Sequence, residues 1–222
     1  MADWASVGTA VGTLVLAGAT FAAVRSGNRS ARIAERALLA GLRPVLVPGR
    51  REDPVEPVLF ADGRTLEVGA GRATVEEAGG VFYLALPIAN VGAGLAHLLG
   101  YRLEAQTADE AQADPLGPAR HRRGDIPPDV ASFRPQQRDL YVAAGRVGFW
   151  QAALRDPADE LYASSAAAIR TRGRLTIDLL YGDHEGGQPT VTRFVVLPDE
   201  PDGWRHDVTR HWTLDQHDLP RV

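Results

Sequence analysis

The rhythm of hydrophobic and polar positions changes twice along the chain. From Trp4 to Val24 there is no alternation: 21 consecutive residues carry no charge. At 1.5 Å per residue, a helix of that length covers a hydrocarbon core of about 30 Å. The run therefore predicts an N-terminal transmembrane helix. It is a lean run, rich in alanine, glycine, serine and threonine, with Trp4, Val7, Val11, Leu14, Val15, Leu16, Phe21 and Val24 as its larger apolar groups. Two other readings compete with it. A cleaved signal peptide finds a cleavage site in Ala17-Gly18-Ala19 but has Asp3 where a positive n-region belongs. A buried soluble helix should be shorter or show polar positions at helical spacing. Gly8 and Gly12 form one GxxxG, a helix-pairing face and a route to a homo-oligomer.

After Val24 the rhythm becomes helical. Arg25, Arg29, Arg32, Arg36 and Arg43 are spaced by 4, 3, 4 and 7 residues, which keeps all five on one narrow face of a helix continuing to the end of a 1–43 segment. Pro44 stops it, because proline disfavours helical geometry in the residue before it. These arginines are the candidate contact to anionic lipid or a protein partner.

Beyond Pro44 the period falls to two, in short apolar runs parted by turn residues, which predicts an antiparallel β-sandwich over 44–222. Strands are expected at 44–47, 58–60, 65–68, 81–88, 97–104, 140–142, 147–151, 174–181, 189–197 and 204–213. Leu99, Tyr101 and Leu103 are expected on the buried face of one strand. Pro87 inside another implies an edge position or a bulge. Residues 107–138 read as a long irregular loop. Asp156-Pro157-Ala158-Asp159-Glu160 announces a helix over 157–170.

Composition sharpens this picture in two ways. There is no cysteine, which removes disulfides, thiolate metal sites and cysteine nucleophiles together. Charge is divided unevenly: seven of the 24 basic residues, all arginine, lie between 25 and 51 against a single acid, Glu35. The chain from Glu52 onward holds 26 acids and 17 arginines, a net −9. An acidic body argues against nucleic acid as its ligand. The basic neck, beside an N-terminal flank without arginine or lysine, predicts an outside N-terminus and a cytoplasmic body at the cell membrane.

Candidate chemistry is sparse. Gly92-Ala93-Gly94-Leu95-Ala96-His97 approaches a dinucleotide fingerprint, but the positions that follow alternate as a strand rather than opening a helix. Asn90-Val91-Gly92-Ala93-Gly94 is therefore expected to reverse the chain, its asparagine and glycines supplying left-handed angles. His206, Asp207, His211, Asp215, His217 and Asp218 offer zinc-type ligands. Five residues apart on a strand, His206 and His211 should face opposite ways and could share a metal only through a bulge. Asp183-His184-Glu185 lacks the second histidine of HExxH. His121 with Arg120, Arg122 and Arg123 forms a basic knot. No metal site and no cofactor is expected.

A lone N-terminal span, a basic neck ending in Arg43-Pro44, the turn Asn90-Val91-Gly92-Ala93-Gly94-Leu95-Ala96 and a late strand closing in Tyr181-Gly182-Asp183 before Gly186 together have a likeness. The combination resembles uncharacterised bacterial single-pass membrane proteins with a cytoplasmic immunoglobulin-like β-sandwich. The resemblance implies that fold and no activity. The expectation is a membrane-anchored, non-catalytic binding or scaffold module. The rival readings are a membrane-bound metal-dependent hydrolase using the C-terminal histidines, and a secreted ligand-binding sandwich.

Overall fold

The computed structural model describes residues 4–115, 126–185 and 187–214, without the side chains of 4–12, 15, 36 and 139. The chain forms two compact units, residues 1–42 and 43–222. The first is one helix, α1 (Trp4–Gly41), of 38 residues. It ends where Leu42 N–H donates to the carbonyls of Leu38 and Leu39. Every described side chain from Thr13 to Leu42 is exposed, including Leu14, Leu16, Phe21, Val24 and Ile33. Among the described residues no helix is long and apolar enough to cross a membrane. The expected transmembrane span is thus unsupported by α1, whose uncharged run is mostly alanine, glycine, serine and threonine.

The second unit is mainly β, and all of its strand pairs are antiparallel. In chain order the strands are β1 (Leu46–Pro48), β2 (Glu56–Leu59), β3 (Thr65–Val68), β4 (Arg72–Ala78), β5 (Val81–Asn90), β6 (Ala96–Gln106), β7 (Arg134–Val142), β8 (Val147–Leu154), β9 (Arg174–Gly182), β10 (Thr190–Asp199) and β11 (Gly203–Thr213). One layer is built on β5, with β8 along one side and β4 then β1 along the other. The other layer runs β7-β6-β9-β10-β11. A short seam joins the layers, Trp204 opposite Ala73 and Arg205 opposite Arg72. The chain changes layer between β5 and β6, returns between β7 and β8, and leaves again through α3 (Glu160–Arg170) to β9.

Between the layers lies one large core. Phe82, Leu84, Leu86 and Ile88 of β5 and Trp150 of β8 meet Leu175, Ile177, Leu179 and Tyr181 of β9 and Phe194 of β10. Period-two alternation in β5 and β9 puts these residues on one face, as expected. Ala166 and Ala168 of α3 close the same core. A second cluster, Val58, Phe60, Leu66 and Val68 over Tyr83 and Ala85, lies under the β2–β3 hairpin on the other face of β5. With both its faces covered, β5 is a nearly continuous apolar run.

Several expectations are corrected. Pro87 sits in a central strand, at the gap where β4 pairing ends at Ala85 and β1 pairing begins at Ile88. Its missing N–H falls where no partner strand needs it, while its carbonyl accepts Gly49 N–H at 2.9 Å. In β6 an irregularity between Leu98 and Gly100 breaks the alternation. Leu98, Tyr101 and Leu103 then face the main core, and Leu99 packs on the opposite side against Leu180, Val191, Trp212 and Leu214. Within the described part of 107–138, Thr107 and Glu110 form a capping box for α2 (Ala108–Ala113), and β7 begins at Arg134. The cap of α3 is Asp159, three residues later than Asp156.

Candidate functional site

The arginine stripe divides. Arg25, Arg29 and Arg32 lie exposed on α1, with Arg36 one turn further on the same helix. Arg43 lies past the helix end and belongs to the body: its Nη1 donates to Thr213 Oγ1 at 3.0 Å and its Nε to Gln188 Oε1 at 3.3 Å. Pro44 removes residue 43 from the helix, so the seven-residue step from Arg36 does not extend the stripe. Gly8 and Gly12 lie within α1.

The glycine turn reverses the chain, but not through left-handed angles. No positive φ occurs at Gly92. A Cβ there would sit 2.2 Å from Arg43 O and 2.6 Å from Val45 N, so glycine is needed for close passage of the backbone entering β1. Asn90, fully buried, secures the crossing. Its Oδ1 accepts Val45 N–H at 3.1 Å and Gly92 N–H at 3.0 Å, and its Nδ2 donates to Gly94 O at 2.6 Å and Val142 O at 3.0 Å. His97, at the last fingerprint position, lies in β6 and stacks on Tyr141. No helix starts there to receive a phosphate.

The histidines of β11 do share a face. Arg193 pairs with Arg210 and Phe194 with Val208, so Thr209 is an extra residue that resets the alternation. His206 thus stands opposite Val196 and His211 opposite Thr192, both on the inner side of β10. Four residues of β10 separate them, about 13 Å at the usual strand rise, too far for one metal ion. Among the described residues no group of three or more His, Asp or Glu side chains could hold a metal. His206 is buried, with Nε2 2.9 Å from Pro87 O, and burial lowers its pKa. His211 Nδ1 lies 2.8 Å from Thr192 Oγ1. The hydroxyl of Thr192 lies 2.8 Å from Tyr181 Oη, which accepts Leu46 N–H. These contacts tie β1 to the second layer. Asp183 also serves structure, its Oδ1 accepting the N–H groups of Glu185 and Gly187 in the β9–β10 turn. Asp215, His217, Asp218 and the knot at residues 120–123 lie outside the described residues.

A different locus carries unsatisfied polar groups. Between the pairs Leu98–Leu140 and Gly100–Pro135, one residue of β6 faces four of β7, residues 136–139, so β7 bows away from its partner. The bow opens beside β8, the margin of the other layer. A cavity of about 140 Å³ lies there, lined by Gln136, Arg138, Gln151, Arg155, Tyr101 and Phe60 among others. Gln136 Nε2 donates across the gap to Gln151 O at 3.2 Å, which fixes the direction of its amide. Its Oε1 is buried without a hydrogen-bond partner, and so is Oε1 of Gln151, a residue only 6% exposed. Arg138 Nη1 donates to Leu59 O at 2.8 Å and Arg155 Nη2 to Asp62 Oδ2 at 3.0 Å. Asp62 is firmly ionised: the Tyr83 hydroxyl, donating at 2.7 Å, leads the contacts that hold its pKa at about 2, with Arg64 N–H and Arg155 adding to it.

No family model, curated protein or solved structure matches this chain.

Neither glutamine was evident from the sequence as a site residue. The one available signal was Gln151 inside the apolar strand Phe149-Trp150-Gln151-Ala152-Ala153-Leu154, because a buried carboxamide is costly without partners.

Proposed function

We propose that the chain is a membrane-anchored, non-catalytic binding or scaffold module, with its N-terminus outside and its β body in the cytoplasm. The observation that carries this reading is the set of exposed apolar side chains on α1, with Leu14 76%, Leu16 71% and Phe21 68% exposed, followed directly by the exposed Arg25, Arg29 and Arg32. An apolar helix segment in water calls for a cover, and a bilayer supplies one while its anionic headgroups attract the next turns at about 1 kcal/mol per arginine. The positive-inside rule gives the orientation. Gly8 and Gly12 are the proposed pairing face for a homo-oligomer.

For the body we propose immunoglobulin-like connectivity. Support comes from β1, β5 and β8 in one layer and β6, β9 and β10 in the other, paired as the A-B-E and C-F-G strands of that fold are. Such a frame hosts many unrelated binding roles, so the fold by itself names no ligand. The likeness to uncharacterised single-pass bacterial proteins rests on the N-terminal run, the neck ending in Arg43-Pro44, the Asn90–Ala96 turn and the Tyr181-Gly182-Asp183 strand end.

The test is fractionation of the full-length chain with reporter fusions. The reading requires a membrane pellet that resists high salt and alkali, with a C-terminal reporter active only in the cytoplasm. The double reversal R29E/R32E should then disturb orientation or weaken association with anionic vesicles. A full-length product recovered in the soluble fraction would overturn the anchor.

A further inference from the structure

The strand that follows the neck is joined to a solvent-facing histidine by an unbroken line of hydrogen bonds. β1 is three residues long and pairs on one side only, with β5. Its Leu46 is fully buried in the core. Leu46 N–H reaches Tyr181 Oη at 3.1 Å, Tyr181 Oη lies 2.8 Å from Thr192 Oγ1, and Thr192 Oγ1 lies 2.8 Å from His211 Nδ1. Tyr181 and Thr192 are fully buried, whereas His211 is exposed. Hydrogen counting gives the line a direction. A backbone N–H only donates, so Tyr181 donates onward to Thr192 and Thr192 to His211. Three contacts then hold three hydrogens, and Nδ1 of His211 offers a lone pair while the ring proton sits on Nε2. Protonation places a fourth hydrogen on Nδ1. Three contacts have no room for it, so one hydrogen along the line loses its acceptor, at a cost that falls on the short strand at its end.

We propose that His211, Thr192 and Tyr181 form a proton-operated latch on β1: the latch holds Leu46 while His211 is neutral, and proton uptake at Nδ1 releases Leu46–Pro48 from the body. The released strand is the one that continues through Pro44 into the neck, so the latch sets how firmly the chain is held where it enters the body. Its parts all lie within 43–222, and it stands whether or not α1 enters a bilayer. The charged and titratable groups around His211 are Tyr181 on β9, Arg43 at the entry to β1, whose Nη1 meets Thr213 two residues along the same face, and His206 further along β11; β10 presents Thr192. No acid among the described residues pairs with His211 to offset an added charge, and desolvation holds its pKa below the ordinary 6.5 in the closed form. The latch is therefore complete above about pH 6.5 and weakens as pH falls, opening by up to about tenfold more per pH unit while the closed form stays neutral.

Hydrogen exchange of the full-length chain in mild detergent tests the latch, read on the amides of residues 45–49 from pH 7.5 to pH 5 and corrected for the intrinsic pH dependence of exchange. Protection there should fall by about tenfold over that range, and by less at residues 175–181 of β9. In His211→Asn a carboxamide oxygen takes the place of Nδ1 and does not titrate, so the fall should vanish. Thr192→Val removes the middle hydroxyl with little change of shape and should also leave residues 45–49 insensitive to pH. Three results would overturn the proposal. One is equal protection at residues 45–49 at both pH values. Another is a fall of the same size in β9, which marks general unfolding. The third is a folded His211→Asn or Thr192→Val protein that keeps the fall, which assigns it to His206, whose Nε2 shares the Pro87 carbonyl with Gly49 N–H.

Discussion

Asn90 shows how much of this body depends on single polar groups. All four hydrogen-bonding positions of its amide are used, on the chain entering β1, on the turn before β6 and on the end of β7. Asn90→Asp would replace the donating NH2 by a single oxygen facing the carbonyls of Gly94 and Val142. We expect a loss of at least about 3 kcal/mol, because two buried acceptors lose partners and a charge is buried, measured as a lower urea midpoint. His206 gives a second test. Burial lowers its pKa from the ordinary 6.5, so below that pH the unfolded chain takes up a proton that the folded one refuses. Its contribution is complete above about pH 6.5 and declines as pH falls toward the lowered value, by up to about 1.4 kcal/mol per pH unit. His206→Gln should flatten the stability curve between pH 6.5 and the onset of carboxylate titration, leaving a smaller slope of the same sign from His211, also lowered by desolvation. Denaturation midpoints across that range would show it. Both residues stand out in the sequence, but not their roles. Asn90 and Gly92 look like suppliers of unusual backbone angles, when a second strand passing within van der Waals reach is what selects them.

At the level of elements, what could be read depended on whether a local signal was left undisturbed. The runs at β5, β9 and β10 alternate or stay apolar throughout and were legible. β4, with Arg72, Glu76 and Glu77 among seven residues, carries too little apolar pattern and is held mainly by its neighbours. The extra residues at Thr209 and around Leu99 defeat a parity argument, since one inserted residue exchanges the faces of all that follow. Deleting Thr209 should therefore move Trp212 and His211 to the wrong sides and cost far more than the roughly 0.5 kcal/mol of an ordinary surface change. Thermal melting reads this directly. For α3 the acids were legible but the cap was misplaced. Asp159 accepts Leu161 N–H at 2.9 Å and binds Nη1 and Nη2 of Arg134 at the start of β7. Asp159→Ala should cost about 1 kcal/mol through the cap alone, and more if the tie to β7 contributes. Asp156→Ala should cost less.

For the whole molecule, charge and rhythm place a division after Arg43, and the compact units divide between Leu42 and Arg43. Residues 43–222 form a compact unit of their own, and Arg43 completes its hydrogen bonds inside it. A chain beginning at Arg43 should accordingly unfold at the denaturant midpoint of the full-length protein, within about 0.5 kcal/mol. The cavity escaped sequence reasoning for the opposite reason. It is made by a mismatch of strand lengths and by side chains from four separate segments, none of which is conspicuous in isolation.

The seam between β4 and β11 has a mechanical consequence. Backbone pairing stitches the two layers along that margin, whereas across the bow of β7 one glutamine amide spans the gap to β8. Spontaneous opening should begin on the unstitched side, with the paired margin as the spine of the book. Amides on the facing margins of β7 and β8 should then exchange with deuterium well before those of β9 and β10.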